Sequence, residues 1–208
     1  METSDGQDAD PPATPVTIHL VRHGETDWNV EGRLQGWTDI PLNATGIEQA
    51  HAAASVLAGR PIGSVLSSDL SRARGTAAMI AAAAGLEVFT DPALRERNYG
   101  VAEGRLISEL DGEAHGAFDA RWDDPDFAFP GGESRRDAHL RLATFLAEML
   151  VSPPPQEIVI VSHGGALRLA RGFLEGFPVE RLPRWNFANA EITTVVTSSQ
   201  LVTAPAYE

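Results

Sequence analysis

Short apolar, β-branched runs alternate with stretches of helical length along this chain, and that alternation leaves few architectures open. Val16 to Val21, SVLSS at 64–68, LEVFT at 86–90, EIVIVS at 157–162 and EITTVVTS at 191–198 read as strands. NATGIEQAHAAASVLAG reads as a helix, with Thr45 and Glu48 at capping-box spacing and Gly59 as a stop. In DLSRARGTAAMIAAAAG, Leu70, Ala73, Ala77 and Ile80 share one helical face and Gly85 ends it. ESRRDAHLRLATFLAEMLV puts Ala138, Leu142, Phe145, Leu146 and Met149 on one face before Ser152-Pro153-Pro154 breaks the run. ALRLARGFLEG is a last helix. The order predicts an α/β fold, a three-layer α/β/α sandwich around a mostly parallel central sheet.

Residues 91–131 have no clear period. They are expected to form loops and short helices inserted over one end of the sheet. Residues 1–15 hold four acids and no base, and are expected to be a disordered acidic tail. Residues 16–208 are then expected to form a single domain, a size for which 43% hydrophobic residues supply one core.

Two of the strands end alike. VTIHLV runs into Arg22-His23-Gly24, and EIVIVS into His163-Gly164-Gly165. Ligands of open α/β sheets bind beyond the carboxyl ends of the strands. As parallel neighbours, these two strands would set His23 against His163. SVLSS leads to a helix whose first turn carries Arg72. Glycines such as Gly164 let backbone come close to a ligand, and helix starts add N–H donors. Two arginines and two histidines at one place suit a compact dianion such as phosphate. Taken singly, each has an ordinary structural explanation: a satisfied histidine, a surface ion pair, a turn glycine. Their coincidence carries weight in a chain of net charge −13, with 29 acids against 16 bases.

That charge makes nucleic acid and anionic membrane poor partners. No signal-peptide pattern or membrane-length apolar run is present, so a soluble cytoplasmic protein is expected. The absence of cysteine excludes disulfides, thiolate catalysis and cysteine zinc sites. No metal-site spacing is present, and no metal or cofactor is expected.

LVRHGETDWN is similar to the Arg-His-Gly signature of the histidine phosphatase superfamily, the phosphoglycerate-mutase-like proteins. RLQGWTDIPLNATG, SSDLSRARGTA, LRERNYG, FPGGES and IVSHGGALR resemble further blocks of that family, in its order, over residues 16 to about 197. The resemblance implies a phosphoglycerate-mutase-like fold. It makes His23 the nucleophile that becomes phosphorylated. Arg22, Arg72 and His163 are implied as its phosphate-pocket companions, Asn29 as a ligand of the transferred group, and Glu96 as proton donor. It implies that Thr26, Gln35 and Gly36 lie on a loop touching substrate.

Phosphoryl transfer needs an in-line nucleophile, charge on the equatorial oxygens and a proton for the leaving oxygen. Neutral imidazole, arginine forks and a protonated carboxyl fit these needs without a metal ion. His163, if protonated, would add a donor.

Three functions stay open: a phosphatase acting on a small phosphorylated metabolite, a bisphosphoglycerate-dependent mutase, and a non-catalytic phospho-ligand scaffold. The interval from Glu96 to His163, 163 − 96 = 67 positions, is shorter than in such mutases and carries Asp123, Asp124 and Asp126. Gly132-Glu133-Ser134 also favours the phosphatase branch. Glu96-Arg97-Asn98-Tyr99 is closer to the mutases, and Ala102 stands where phosphatases usually carry tryptophan.

Arg97, Arg105, Arg121, Arg135 and Arg136 are candidates for a second substrate anion, or are solvated. His51 and His139 are expected on the surface, and His115 near the mouth. Glu25 is expected to be structural, and Trp28, Trp37, Trp122 and Trp185 to pack in the core or at the rim. The sequence sets no oligomeric state, and a homodimer is the assembly considered.

Overall fold

The computed structural model describes residues 15–113, 124–154 and 156–198. The tail up to residue 14, and His115, Arg121, Trp122 and Asp123, lie outside them. Five strands form one sheet: β1 (Pro15–Arg22), β2 (Ile62–Ser67), β3 (Val88–Thr90), β4 (Glu157–Ser162) and β5 (Ile192–Ser198). Their spatial order is β3-β2-β4-β1-β5. All pairings are parallel except β1 with β5. The chain is an α/β protein with a mixed, mostly parallel sheet between helical layers. β3 is shorter than LEVFT suggests, because Leu86 and Glu87 lie outside the ladder.

Alternation along the central strands makes two cores. Ile18, Leu20, Ile158 and Ile160 face α5 (Arg135–Val151) and α6 (Gly164–Leu174), meeting Leu142, Leu146 and Leu167. Val21, Val65, Val159 and Val161 face α2 (Ala44–Leu57) and α3 (Ser71–Ala84), meeting Leu57, Ala73, Ala77 and Ile80. Each fully buried leucine or isoleucine contributes about 1.5–3 kcal/mol. α2 starts differently from the expected capping box. Asn43 is the N-cap, its side chain accepting from Gly46 N–H at 2.8 Å, so Thr45 is already helical.

The irregular segment carries 3-10 turns at Pro92–Leu94 and Gly100–Ala102 and a short helix α4 (Ile107–Glu113). It is tied to the loop that follows α1 (Asp27–Glu31). Leu34 N–H donates to Arg105 O, Gly104 N–H to Leu34 O, and Ile107 N–H to Gly32 O. None of the helices among the described residues is long and apolar enough to cross a membrane.

Two histidines depart from a surface placement or add to the core. His19 is buried on β1, bonded to Thr194 Oγ1 at 2.9 Å and to Glu157 Oε2 at 2.7 Å. Glu157 also takes both ends of the Arg60 fork, and these partners hold its carboxyl down at about 2. His51 is exposed, but His139 is buried, which corrects the expectation of a surface residue. It follows Ala138 on the face of α5 that packs against α6, with its ring 6.2 Å from that of Phe173.

Burial, with Arg136 and Arg135 adding to it and Glu180 opposing, lowers the His139 pKa from 6.5 to about 4. The unfolded chain therefore takes up a proton near pH 6.5 that the folded chain refuses until near pH 4. The stability from neutral His139 is full above pH 6.5 and is lost as pH falls toward 4. A His139→Leu variant should flatten the loss of urea-unfolding free energy across that window by on the order of 3 kcal/mol.

Candidate active site

The register Arg22↔Ser162 ends β1 and β4 level with each other, so His23 and His163 leave the sheet side by side. Their ring centroids are 5.1 Å apart at 61°. β2 flanks β4, and α3, which follows it, brings Arg72 to the same place. These residues line a pocket of about 290 Å³ together with Arg22, Asn29, Gln35, Gly36, Glu96 and Gly164.

His23 is buried, and its Nδ1 lies 2.7 Å from Gly24 O. A carbonyl only accepts, so Nδ1 carries the proton and Nε2 carries the lone pair. Burial first, then Arg72 and Arg22, hold its pKa well below 6.5. The neutral ring is thus the resting form.

The turn after His23 requires glycine. A Cβ on Gly24 would lie 2.3 Å from Gly46 O, and one on Gly46 would lie 2.1 Å from Glu25 O. Two glycine backbones cross here, locking the strand end onto the start of α2. Glu25 serves that junction, accepting from Asn43 Nδ2 and donating its N–H to Gln49.

Arg72 is fully buried. Its Nη1 donates to Thr38 O at 2.9 Å, its Nη2 to Gly36 O at 2.8 Å, and its Nε to His163 Nδ1 at 3.2 Å. Burial lowers its pKa to about 10, so it stays charged at neutral pH. Three of its five N–H groups are committed to protein, which leaves one on each Nη for a ligand. Arginine only donates, so His163 Nδ1 is unprotonated and Nε2 bears the hydrogen. That Nε2 is buried without a partner among the described residues, and burial first, then Arg72, keeps the His163 pKa well below 6.5. His163 is therefore a neutral donor and not the protonated ring first considered. Arg22 donates through Nη1 to Phe187 O at 2.7 Å, while its buried Nε has no partner among the described residues.

Asn29 Oδ1 accepts from Thr26 N–H, Thr26 Oγ1–H and Asn189 Nδ2–H, which turns the amide nitrogen into the group it offers the pocket. Thr26 does not line the pocket. It is the fully buried N-cap of α1, in a reciprocal capping box with Asn29, so its part is to orient Asn29. Gln35 lines the pocket and leaves a buried Oε1 without a partner among the described residues.

Glu96 is pinned onto the start of α6. Oε1 accepts from Arg97 and Ala166 N–H and Oε2 from Gly165 N–H, each at 2.9 Å. A Cβ on Gly165 would come within 2.5 Å of Oε1, which gives the second glycine of the motif its reason.

Arg33, Arg168, Trp185, Asn186 and Phe187 also line the pocket. Sequence reasoning overlooked Arg168 although it lies one turn beyond Gly164 on the same helix face. Of the arginines considered for a second anion, Arg97, Arg105, Arg135 and Arg136 do not line this pocket, and Arg121 lies outside the described residues. Arg97 lies over the Tyr99 ring, and Arg136 pairs with Asp126 and Glu180. Neither Asp124 nor Asp126 lines the pocket.

Glu103 fixes the loop that holds Arg72. Its carboxylate accepts from Trp37 N–H, Thr38 N–H, Thr38 Oγ1–H and Tyr99 N–H. Glu103→Gln removes one acceptor oxygen and adds a donor facing donors. It is expected to weaken binding of inorganic phosphate by about tenfold or more in calorimetry.

The Histidine phosphatase superfamily (branch 1) profile matches residues 18–205. The chain is 38% identical over 188 residues to a Yersinia pestis protein named "Probable phosphoglycerate mutase GpmB", covering 86% of this chain and 84% of that one. Its fold is similar to that of "Mycobacterial hydrolase 1", with a TM-score of 0.83 at 35% identity, covering 88% of this chain and 92% of the other. It is also similar to a mycobacterial glucosyl-3-phosphoglycerate phosphatase, with a TM-score of 0.81 at 35% identity over 88% of this chain and 91% of that one. On sequence and fold together, the chain belongs to branch 1 of the histidine phosphatase superfamily.

Proposed function

We propose that residues 16–208 act as one catalytic domain that hydrolyses phosphomonoesters of small metabolites through a phosphohistidine on His23. The observation that supports this most is the tautomer of His23. Its Nδ1 proton is committed to Gly24 O, so the Nε2 lone pair belongs to a ring lining a pocket that also holds Arg22 and Arg72.

In the first step Nε2 attacks phosphorus and the ester P–O bond breaks. The leaving alkoxide takes a proton from Glu96, and Arg22, Arg72, Asn29 Nδ2 and His163 Nε2–H hold the phosphoryl oxygens. In the second step water gives a proton to Glu96 and attacks phosphorus, and phosphate leaves His23 with its lone pair restored. Two arginine charges balance the phosphate dianion, so the step asks for no metal ion. Donors of this kind contribute about 3–4 kcal/mol each where they meet developing charge.

The mycobacterial neighbour named as a phosphatase supports hydrolysis of a small phosphorylated metabolite. A mutase is the second reading, favoured by the likeness to the relative named phosphoglycerate mutase. Two assays separate them: phosphate release from phosphomonoesters, and interconversion of 2- and 3-phosphoglycerate with bisphosphate primer. Hydrolysis is expected to dominate with or without EDTA. Fast interconversion with negligible phosphate release would overturn the first reading.

Rapid acid quench during turnover should leave an acid-labile phosphoryl group on His23. His23→Ala should lose about 1,000-fold or more in kcat. A fully active His23→Ala protein would end the mechanism.

Glu96→Gln should lose about 100-fold or more on alkyl phosphates and much less on nitrophenyl phosphate, whose leaving group needs no proton. Equal losses on both would remove Glu96 from the donor role.

A further inference from the structure

Arg168 stands in the pocket with more charge than the phosphate site uses. It lies on α6, one turn after Gly164, and both residues line the cavity. Its Nε and Nη2 both donate to Trp185 O, at 3.0 and 2.7 Å. That double grip on one carbonyl fixes the guanidinium plane. Nη1 has no hydrogen-bond partner among the described residues, so its edge is left for a ligand.

No carboxylate pairs with Arg168 among the described residues. The other extra cation, Arg33, differs, because its Nε is paired with Glu31. Burial lowers the Arg168 pKa, and Glu96 and Tyr99 are the groups that favour its charge. Tyr99 is a buried, neutral phenol. Arg22 and Arg72 match the phosphate dianion, and Arg168 is half-buried, with its hydrogen bonds among the described residues made only to the Trp185 carbonyl.

We infer that Arg168 is a specificity residue that holds a second anionic group of the substrate, a carboxylate or further phosphate carried on the alcohol side of the phosphomonoester. The inference deepens the phosphomonoesterase reading and rests on it for the assignment of the phosphate end. Trp185 and Phe187 line the same pocket.

A purely structural alternative makes a different forecast. Arg168 ties down Trp185, and Phe187 two residues on holds Arg22 through its carbonyl. Loss of that tie would weaken every phosphate ligand alike, whereas loss of an anion site weakens only ligands that carry the second anion.

The test uses 3-phosphoglycerate and glycerol 3-phosphate, which differ by a carboxylate in place of a hydroxymethyl group. Binding is measured by calorimetry on His23→Ala protein, so that turnover does not enter. The carboxylate ligand should bind about 10- to 100-fold more tightly, the range of a hydrogen bond to a charged group. Adding Arg168→Met should collapse that ratio to within about threefold, and Arg168→Lys should restore part of it. Equal affinities in the His23→Ala protein, or a ratio unchanged by Arg168→Met, would overturn the inference. If Arg168→Met does not fold, the ratio in His23→Ala and in its Arg168→Lys derivative decides. Absence of all phosphate release by the unaltered protein counts against the phosphatase reading, and the binding ratio still judges Arg168.

Discussion

The site depends on one buried guanidinium. Arg72 is a full positive charge with no exposure, and removing such a charge from water is costly unless its donors are filled. Three of the five are filled by Gly36 O, Thr38 O and His163 Nδ1, from a loop and a strand end, and the other two are left for a ligand. Each side fixes the other. The loop carbonyls orient the fork, the fork sets the tautomer of His163, and Glu103 holds the loop through two of its backbone N–H groups. Loss of any member leaves a buried charge or acceptor unpaired, so the effects of substitution here will be strongly coupled.

Backbone approach is the second constraint. Gly24 against Gly46 and Gly165 against Glu96 leave no room for a Cβ. The first contact sets where β1 ends relative to α2, and so where the His23 ring points. The second lets a carboxylate reach two N–H groups in the first turn of α6 while His163 caps the same helix. One helix start thus holds both Glu96 and His163 at the pocket. This economy follows from placing β4 in the middle of the sheet, with β1 and β2 on either side.

Much of this was legible in the sequence, for a physical reason. Strands and helices announce themselves by period, and residues delivered at strand ends inherit their position from that period. His23, His163 and Arg72 could therefore be placed together from pattern alone. Glu96 follows a 3-10 turn in an aperiodic stretch, and only the family resemblance singled it out. Arg168 was hidden because a helical arginine reads as a solvated face unless the start of the helix is known to form a pocket. His139 misled because ESRRD is polar, yet the face of α5 is set by Ala138 and Leu142 rather than by its neighbours in sequence. Thr26 was read as a substrate contact when its hydroxyl is spent on Asn29, a local bond that composition does not reveal. The capping box at Thr45 failed because Asn43, two residues earlier, already satisfies the helix start.

The protonation of the two histidines follows from the same geometry. Two imidazolium rings 5.1 Å apart would repel by about 3 kcal/mol at an effective dielectric of 20, beside two arginines already in place. Binding a phosphate dianion would ordinarily draw a proton onto such a pair. For His163 the proton would have to go to Nδ1, where the Arg72 Nε–H already points. Two donors would then face each other, so Arg72 would have to give up that bond and its hold on His163. For His23 the proton would have to go to Nε2, the atom that attacks phosphorus in the proposed mechanism. The arrangement therefore puts the cationic charge on groups that do not lose it near neutral pH and keeps both imidazoles neutral. In the proposed mechanism one of them offers its lone pair to phosphorus and the other its N–H to the oxygens around it.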